Sequence, residues 1–311
     1  MSIIEKIHKQ FLSSRLLLFI FVFAFIALRL YFIGNQFDKF SFWGCLVIQI
    51  GIAFFLLQLN HIFNIIQERT YLPALFYLLF TGSNPAFYND LKGSVAALCI
   101  LLCFYFLFAS YQKPKSQINA MNISILLVLG SLLWTPLLFF FPVFWIGFYR
   151  FQCFTVRVFF ANLIGFVIVY LFIFTWSVFQ EDKSIFLSLL PDFKSLLIVY
   201  KLNFTVLEWI TYGFIILIYI IIGIYLFFIY ISEKVWTISA LSYLYLSSFF
   251  IFIFLFIRSE YKSSLGLICF VPVAILTGHF FSRANKKGIQ YLLLVFFLFF
   301  IGIGFVQHTS P

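Results

Sequence analysis

Residues 15–60 read RLLLFIFVFAFIALRLYFIGNQFDKFSFWGCLVIQIGIAFFLLQLN and contain two apolar runs separated by one short polar loop. The runs cover residues 15–33 and 42–60, and each approaches the roughly 20 apolar residues that a membrane-spanning helix requires. Backbone groups inside a bilayer have no water to bond, so such runs fold as helices. The stretch therefore predicts two antiparallel spanning helices joined at one membrane surface.

The composition of the whole chain agrees with this interpretation. Of 311 residues, 64% are hydrophobic and 10% are charged, and the mean hydropathy is +1.10. A soluble domain is about half apolar and about one quarter charged. The net charge of +10 comes without any basic run longer than two residues. It therefore favours membrane orientation over nucleic-acid binding.

Charges and turn residues divide the rest of the chain into further apolar runs, giving an all-α, polytopic bundle of about eleven spans. The expected spans are 15–33, 42–60, 71–82, 93–111, 122–133, 137–148, 158–178, 208–230, 237–257, 263–281 and 289–306. The runs 71–82, 122–133 and 137–148 are too short to cross alone. Each must be extended by semi-polar flanks, be kinked or lie inside the bundle.

The distribution of Lys and Arg predicts the orientation. With the N-terminus in the cytoplasm, the inner loops carry twelve of these residues and the outer loops seven. This bias favours an N-in, C-out topology.

Two segments have the pattern of helices that lie along the membrane surface. Residues 1–14 predict a cytoplasmic interfacial helix, because Ile3, Ile4, Ile7 and Phe11 share one face. Residues 179–207 predict an outer interfacial segment, with apolar residues recurring every three to four positions and a break near Pro191. We expect residues 1–311 to form a single integral membrane domain.

The sequence carries no motif for a metal, a cofactor or nucleotide chemistry. Its five cysteines and four histidines lack metal-ligand spacing. It has no nucleophile elbow, P-loop, HExxH or Rossmann glycine pattern. We therefore expect no metal, no cofactor and no nucleic-acid partner.

Arg29 and Asp38 are the first candidates for a site, because ionisable groups in a membrane are costly and often functional. Arg29 lies in an apolar run about one turn from the outer surface, and Asp38 follows in the short outer loop. Arg29 either extends to the headgroups as an anchor or turns inward to bind an anionic group such as a lipid phosphate. Asp38 is either a solvated loop acid or a general base.

Asp90 and Glu208 are the next acidic candidates. Asp90 precedes the span that starts at residue 93, where a carboxylate can cap the helix. It also lies in the densest polar cluster on the expected outer side, which makes it a second candidate for catalysis. Glu208 begins a span beside Trp209 and is either a partner of the helix dipole or a site acid.

Arg258 and Lys262 complete the candidate set. With Glu260 they form a tight outer turn, IRSEYKSS. Cations at this depth suit phosphate binding or simple anchoring. The candidate catalytic residues are therefore Asp38 and Asp90, and the candidate substrate-binding residues are Arg29, Glu208, Arg258 and Lys262.

The middle of the chain resembles an uncharacterised family of polytopic inner-membrane proteins of Bacteroidota. The resemblance rests on YLPALFYLLFTGSNPAFYNDLKGSVAALCILLCFYFLF (71–108), INAMNISILLVLGSLLWTPLLFFFPVFWIGFYRF (118–151) and FFANLIGFVIVYLF (159–172). It includes a Gly-x-x-x-aromatic-x-Pro hairpin from Gly130 to Pro136. The resemblance implies a multi-pass protein of the bacterial inner (plasma) membrane and assigns no activity.

The chain also resembles membrane glycosyltransferases that use polyprenyl-phosphate sugars. They too run N-in with about eleven spans, and they place an acidic residue in the first outer loop, a position that Asp38 matches. Their first outer loop is long, whereas here it has about eight residues. The resemblance implies that the chain acts on lipid-linked glycans at the outer leaflet, with membrane lipids and a polyprenyl-phosphate lipid as partners.

The alternative is a non-enzymatic subunit or scaffold of a cell-envelope complex, with other envelope membrane proteins as partners. It predicts a broad apolar flank and no polar cavity, whereas the enzyme hypothesis requires the cations and carboxylates to face one site. A transporter would need ionisable residues near the membrane midplane, and the sequence has almost none.

Overall fold

The computed structural model describes residues 15–31, 39–68, 70–113, 115–180, 204–229, 233–283 and 287–309, which are helical and contain no strand. Their α-helices are α1 (Arg15–Tyr31), α2 (Lys39–Phe63), α3 (Leu72–Gly82), α4 (Leu91–Ala109), α5 (Gln117–Leu133), α6 (Phe141–Arg150), α7 (Val156–Phe179), α8 (Val206–Ile229), α9 (Val235–Ile257), α10 (Lys262–Ser282) and α11 (Lys287–Thr309). Short 3₁₀ helices occupy Pro85–Tyr88, Thr135–Phe140 and Ser259–Tyr261.

A helix lies at each of the eleven expected spans, which confirms the all-α prediction for the described residues. Six helical stretches among them are long and apolar enough to cross a membrane, as in multi-pass membrane proteins: Phe40–Phe63, Leu91–Ala109, Val156–Phe179, Val206–Phe228, Val235–Ile257 and Ser259–Ser282. The number of crossings and the N-in, C-out orientation stay predictions. The expected interfacial segments 1–14 and 179–207 lie almost wholly outside the described residues.

The three short predicted runs have different structures. Residues 71–82 form α3, which has Pro73 in its first turn and is buried along nearly its whole length. The run 122–133 is extended at its start by a semi-polar flank, so α5 begins at Gln117. The run 137–148 is divided between the 3₁₀ helix Thr135–Phe140 and α6.

The chain forms two compact units, and the boundary between them falls within α4, after Ser94. The first comprises residues 1–94 and 202–311, and the second comprises residues 95–201. In the second unit α5 packs on α7, where Gly165 lies against the backbone of Met121 and the side chain of Ser124. Ser124 donates a hydrogen bond to Asn162 at 2.6 Å across this contact.

Helix α10 is the centre of the first unit. All its residues from Ser264 to Ser282 are buried, and it packs mainly against α3 and α9. Gly278 allows a close approach to α3, because a Cβ there would lie 2.8 Å from the ring of Pro73. Ser264, near the start of α10, is the first residue of the buried part of this helix.

Candidate functional site

Arg29 is completely buried and has no carboxylate partner among the described residues. Its guanidinium carbon lies 4.4 Å from the ring centroid of Phe25 and 4.1 Å from that of Tyr88. Nη2 donates a hydrogen bond to Gln49 Oε1. Nε and Nη1 have no hydrogen-bond partner in the described part of the chain. Because an unpaired buried charge is costly, this arrangement requires an explanation.

The inward direction of Arg29 follows from its burial and from its contacts with Gln49 and Tyr88. Side chains of an α-helix tilt towards its N-terminus. Arg29 lies two residues before the end of α1, so its side chain runs back along the helix to Phe25. Arg29 is fully buried instead of extending to the headgroups as an anchor would, so its side chain faces the interior of the first unit.

Gln49 connects Arg29 to the start of α4. It is buried ten residues into α2, about 15 Å along that helix. Its Nε2 donates to Phe87 O and to Ser94 Oγ, both at 3.0 Å. Ser94 Oγ in turn donates to the backbone carbonyl of Asp90 at 2.9 Å. These bonds join α1, α2 and α4 through buried polar groups.

Asp90 extends the chain of hydrogen bonds to α10 and caps α4. Its Oδ1 accepts a hydrogen bond from the backbone N–H of Gly93 at 2.8 Å, which confirms the predicted cap. Its Oδ2 accepts one from Ser264 Oγ at 2.6 Å. We call Arg29, Gln49, Ser94, Asp90 and Ser264 the polar network. The assignment of Asp90 as a catalytic residue stays a prediction.

Asp90→Ala is expected to lower the free energy of unfolding by about 1–2 kcal/mol, because it removes the helix cap and leaves the Ser264 hydroxyl unpaired. Thermal melting in mild detergent measures the change. Asn89→Ala, at the exposed neighbouring residue, is the control and should melt like the wild type. Equal melting temperatures of Asp90→Ala and Asn89→Ala would contradict the capping role of Asp90.

Glu208 lies in the first turn of α8 and forms a capping box with Thr205. Its Oε2 accepts a hydrogen bond from the backbone N–H of Thr205 at 2.8 Å, and the Thr205 hydroxyl accepts from the N–H of Glu208 at 3.3 Å. The same Oε2 accepts a bond from the ammonium of Lys262 at 2.6 Å. Glu208 is thus a partner of the helix N-terminus, as one of the two interpretations predicted, and it also brings Lys262 to α8.

The turn before α10 lines an open cleft. A cavity of about 430 Å³ is lined by Phe204, Thr205, Ser259, Glu260 and Lys262. Arg258, just outside this lining, is 2% exposed. It is therefore enclosed instead of extending to lipid headgroups as an anchor would.

Tyr88 lies between the guanidinium of Arg29 and the end of α3. Its hydroxyl donates a hydrogen bond to the carbonyl of Gly82 at 2.9 Å. Burial raises the pKa of Tyr88 to about 12, against the opposing effect of the Arg29 charge. The phenol therefore stays neutral at physiological pH, and it supplies Arg29 with a π-face and no negative charge.

The structure joins four of the six predicted site residues into two pairs. Arg29 is linked to Asp90 through Gln49 and Ser94, and Glu208 contacts Lys262 directly. Lys262 lies two residues before Ser264 on α10, so both pairs meet at the start of that helix. Asp38 lies outside the described residues, and its assignments stay predictions.

Gln49 and Tyr88 belong to the site and were missed in the sequence. The signal for Gln49 was present, since it is an amide in the middle of the apolar run 42–60, whereas the other two amides, Gln58 and Asn60, lie at the end of the run. Tyr88 gave no signal, because the chain has 17 tyrosines and nothing local separates this one from the others. Among the described residues, no group of three or more His, Cys, Asp or Glu could hold a metal ion.

We compared the chain with protein-family models, with curated proteins and with solved structures, and none of them gives a significant match.

Proposed function

We propose that this chain is a multi-pass membrane protein that binds a phosphate-bearing, lipid-linked glycan, as a glycosyltransferase does, at the end of the first unit that carries the polar network. One observation carries the proposal: two nitrogens of the enclosed guanidinium of Arg29 have no hydrogen-bond partner among the residues that the structure describes. They carry three N–H bonds, because Nε has one and Nη1 has two. A phosphate offers the charge and the acceptor oxygens that they lack.

The surroundings of Arg29 favour an anion over a second protein group. Phe25 and Tyr88 cover the guanidinium with aromatic faces, which attract a cation without neutralising it. Gln49 contributes one neutral oxygen. No carboxylate of the described residues neutralises the charge, so a bound phosphate would remove the largest unfavourable term of this site.

Transfer of the sugar would need a carboxylate beside the phosphate. The acceptor hydroxyl oxygen would form a bond to the anomeric carbon, and the bond between that carbon and the phosphate oxygen would break. The lipid phosphate would leave with the electron pair, and the hydroxyl proton would pass to the carboxylate. Asp38 and Asp90 are the proposed acceptors. Each oxygen of Asp90 already accepts one hydrogen bond, so its remaining lone pairs would take the proton.

The alternative is a non-enzymatic subunit of an envelope complex. Its prediction of a broad apolar flank fits α7, of which only 28% is buried over its most apolar window. Lipid covers such a flank equally well. The polar network favours the lipid-phosphate proposal, because a scaffold needs no buried cation. Copurification of another membrane protein at fixed stoichiometry, together with an unaltered yield of bound lipid in Arg29 variants, would favour the subunit.

Arg29→Gln is expected to reduce the phosphate-bearing lipid that copurifies with the protein at least 10-fold. The amide of glutamine can still bond Gln49 but has no charge for a phosphate. The protein is purified in maltoside detergent, which has no phosphate, and bound lipid is quantified by mass spectrometry and by phosphorus content per chain. Arg150→Gln, at an exposed arginine of α6, is the control and should retain the wild-type amount. Equal lipid in both variants would refute the proposal.

A further inference from the structure

An apolar groove runs along α1 towards the Arg29 site. It has a volume of about 150 Å³, and its walls come from α1, α3 and α11 of the first unit. The residues that matter for its shape are Phe21, Ala24, Phe25, Leu28, Gly82 and Gly304. Leu28 is 41% exposed and Phe305, on the opposite wall, is 59% exposed, so the groove opens at the surface.

The groove and the buried cation share two wall residues. Phe25 lines the groove, and its ring centroid lies 4.4 Å from the guanidinium carbon of Arg29. Gly82 also lines the groove, and its carbonyl accepts a hydrogen bond from the hydroxyl of Tyr88. The ring of Tyr88 covers another side of the guanidinium. Arg29 follows Phe25 by four residues, which is about 6 Å or one turn along α1. The side chain of Arg29 runs back along this turn, so its guanidinium lies beside the Phe25 ring, which separates it from the groove.

We infer that the groove binds the hydrocarbon chain of a single-chain lipid phosphate, whose phosphate group contacts Arg29 Nε and Nη1. This inference rests on the proposed function and specifies its substrate class. The ring of Phe25, which lies against both the groove and the guanidinium, turns aside to admit the phosphate. The positive charge of Arg29 binds the phosphate, and the apolar walls of the groove bind the hydrocarbon chain.

The dimensions of the groove select a lipid with one chain. An apolar cavity of about 150 Å³ holds a molecule the size of benzene, so the groove takes a segment of about six carbon atoms of one chain. Since Phe25 belongs to both parts, the phosphate must follow the end of the chain directly. A diacyl glycerophospholipid has a glycerol unit and a second chain at that place, and the second chain would lie outside the groove without contacts to its walls.

Dissociation constants for three probes test this inference in maltoside detergent: dodecyl phosphate, dodecanol and a two-chain phosphatidic acid. The wild type should bind dodecyl phosphate at least 10-fold more tightly than either of the others. Ala24→Phe places a large side chain in the groove and should raise the dissociation constant of dodecyl phosphate at least 10-fold. Gly304→Val fills the opposite wall, where a Cβ meets only ordinary contacts at 3.5 Å or more, and should have the same effect.

Ala27→Phe is the matched control, because Ala27 lies on α1, is exposed and does not line the groove. Ala27→Phe should bind dodecyl phosphate as tightly as the wild type. Melting curves check that all variants fold. If Ala24→Phe and Gly304→Val also bind like the wild type while Arg29→Gln loses binding, the phosphate site stands and the groove is not its lipid site. Equal affinity for phosphatidic acid would overturn the single-chain assignment. If Arg29→Gln binds normally too, the proposed function fails together with the inference.

Discussion

Arg29→Met is expected to lower the affinity for a lipid phosphate by at least about 100-fold without lowering the melting temperature. At least two charge-assisted hydrogen bonds to the phosphate are lost, each contributing about 1.5–3 kcal/mol. Methionine leaves Gln49 Oε1 unpaired, which costs about 1–3 kcal/mol. It also removes a buried charge that lacks a carboxylate partner among the described residues, a burial that costs several kcal/mol. The two stability effects are opposite and of similar size.

Opposite responses of binding and stability separate a ligand site from a structural role. Binding of dodecyl phosphate and thermal melting are measured on the same preparations in maltoside detergent. Arg150→Met is the control for loss of one positive charge and should leave both quantities unchanged. A clear drop in melting temperature for Arg29→Met, with affinity retained, would show that Arg29 holds the helices together and binds no phosphate.

Gly93→Val is expected to destabilise the protein by about 3 kcal/mol. A Cβ at this position would lie 2.6 Å from Asp90 Oδ2 and 2.6 Å from the Cα atom of Ser264. The second contact involves the backbone of α10, which is buried and cannot move without disturbing its neighbours. Overpacking of a close helix contact typically costs about 1–3 kcal/mol, and loss of the Asp90–Ser264 bond adds to it.

Gly51→Val is the matched control for Gly93→Val. A Cβ at Gly51 meets nothing within 4 Å, and valine and glycine have similar helix propensities. Its free energy of unfolding should therefore stay within about 0.5 kcal/mol of the wild type in reversible denaturation experiments. Similar destabilisation by both substitutions would mean that helix propensity, and not the contact between α4 and α10, sets the stability at Gly93.

The positions of the helices could be predicted because hydropathy and helix-ending residues are local signals. The run 42–60, for example, marks the interior of α2, which extends three residues further at each end. The start of α5 was missed by five residues. Asn119 lies in its first turn and donates a hydrogen bond to Ser110 at 2.9 Å, a partner that local polarity does not reveal.

The candidate site was predictable only where its contacts are local. The cap made by Asp90 joins residues three apart, and so does the capping box that Glu208 completes. The direction of Arg29 depends on Gln49, 20 residues away, and on Tyr88. Such long-range contacts arise from helix packing and leave no pattern in the sequence. For this reason the two interpretations of Arg29 could be stated in advance but not decided.

The density around Arg29 in an experimental map of the purified protein tests the central claim most directly. A cryo-electron microscopy map in maltoside detergent with added dodecyl phosphate should show a tetrahedral group within hydrogen-bond distance of Nε and Nη1. This density should continue into the groove beside Ala24. A carboxylate of the protein in that place, such as that of Asp38, would contradict the claim, because the charge of Arg29 would then be neutralised within the chain.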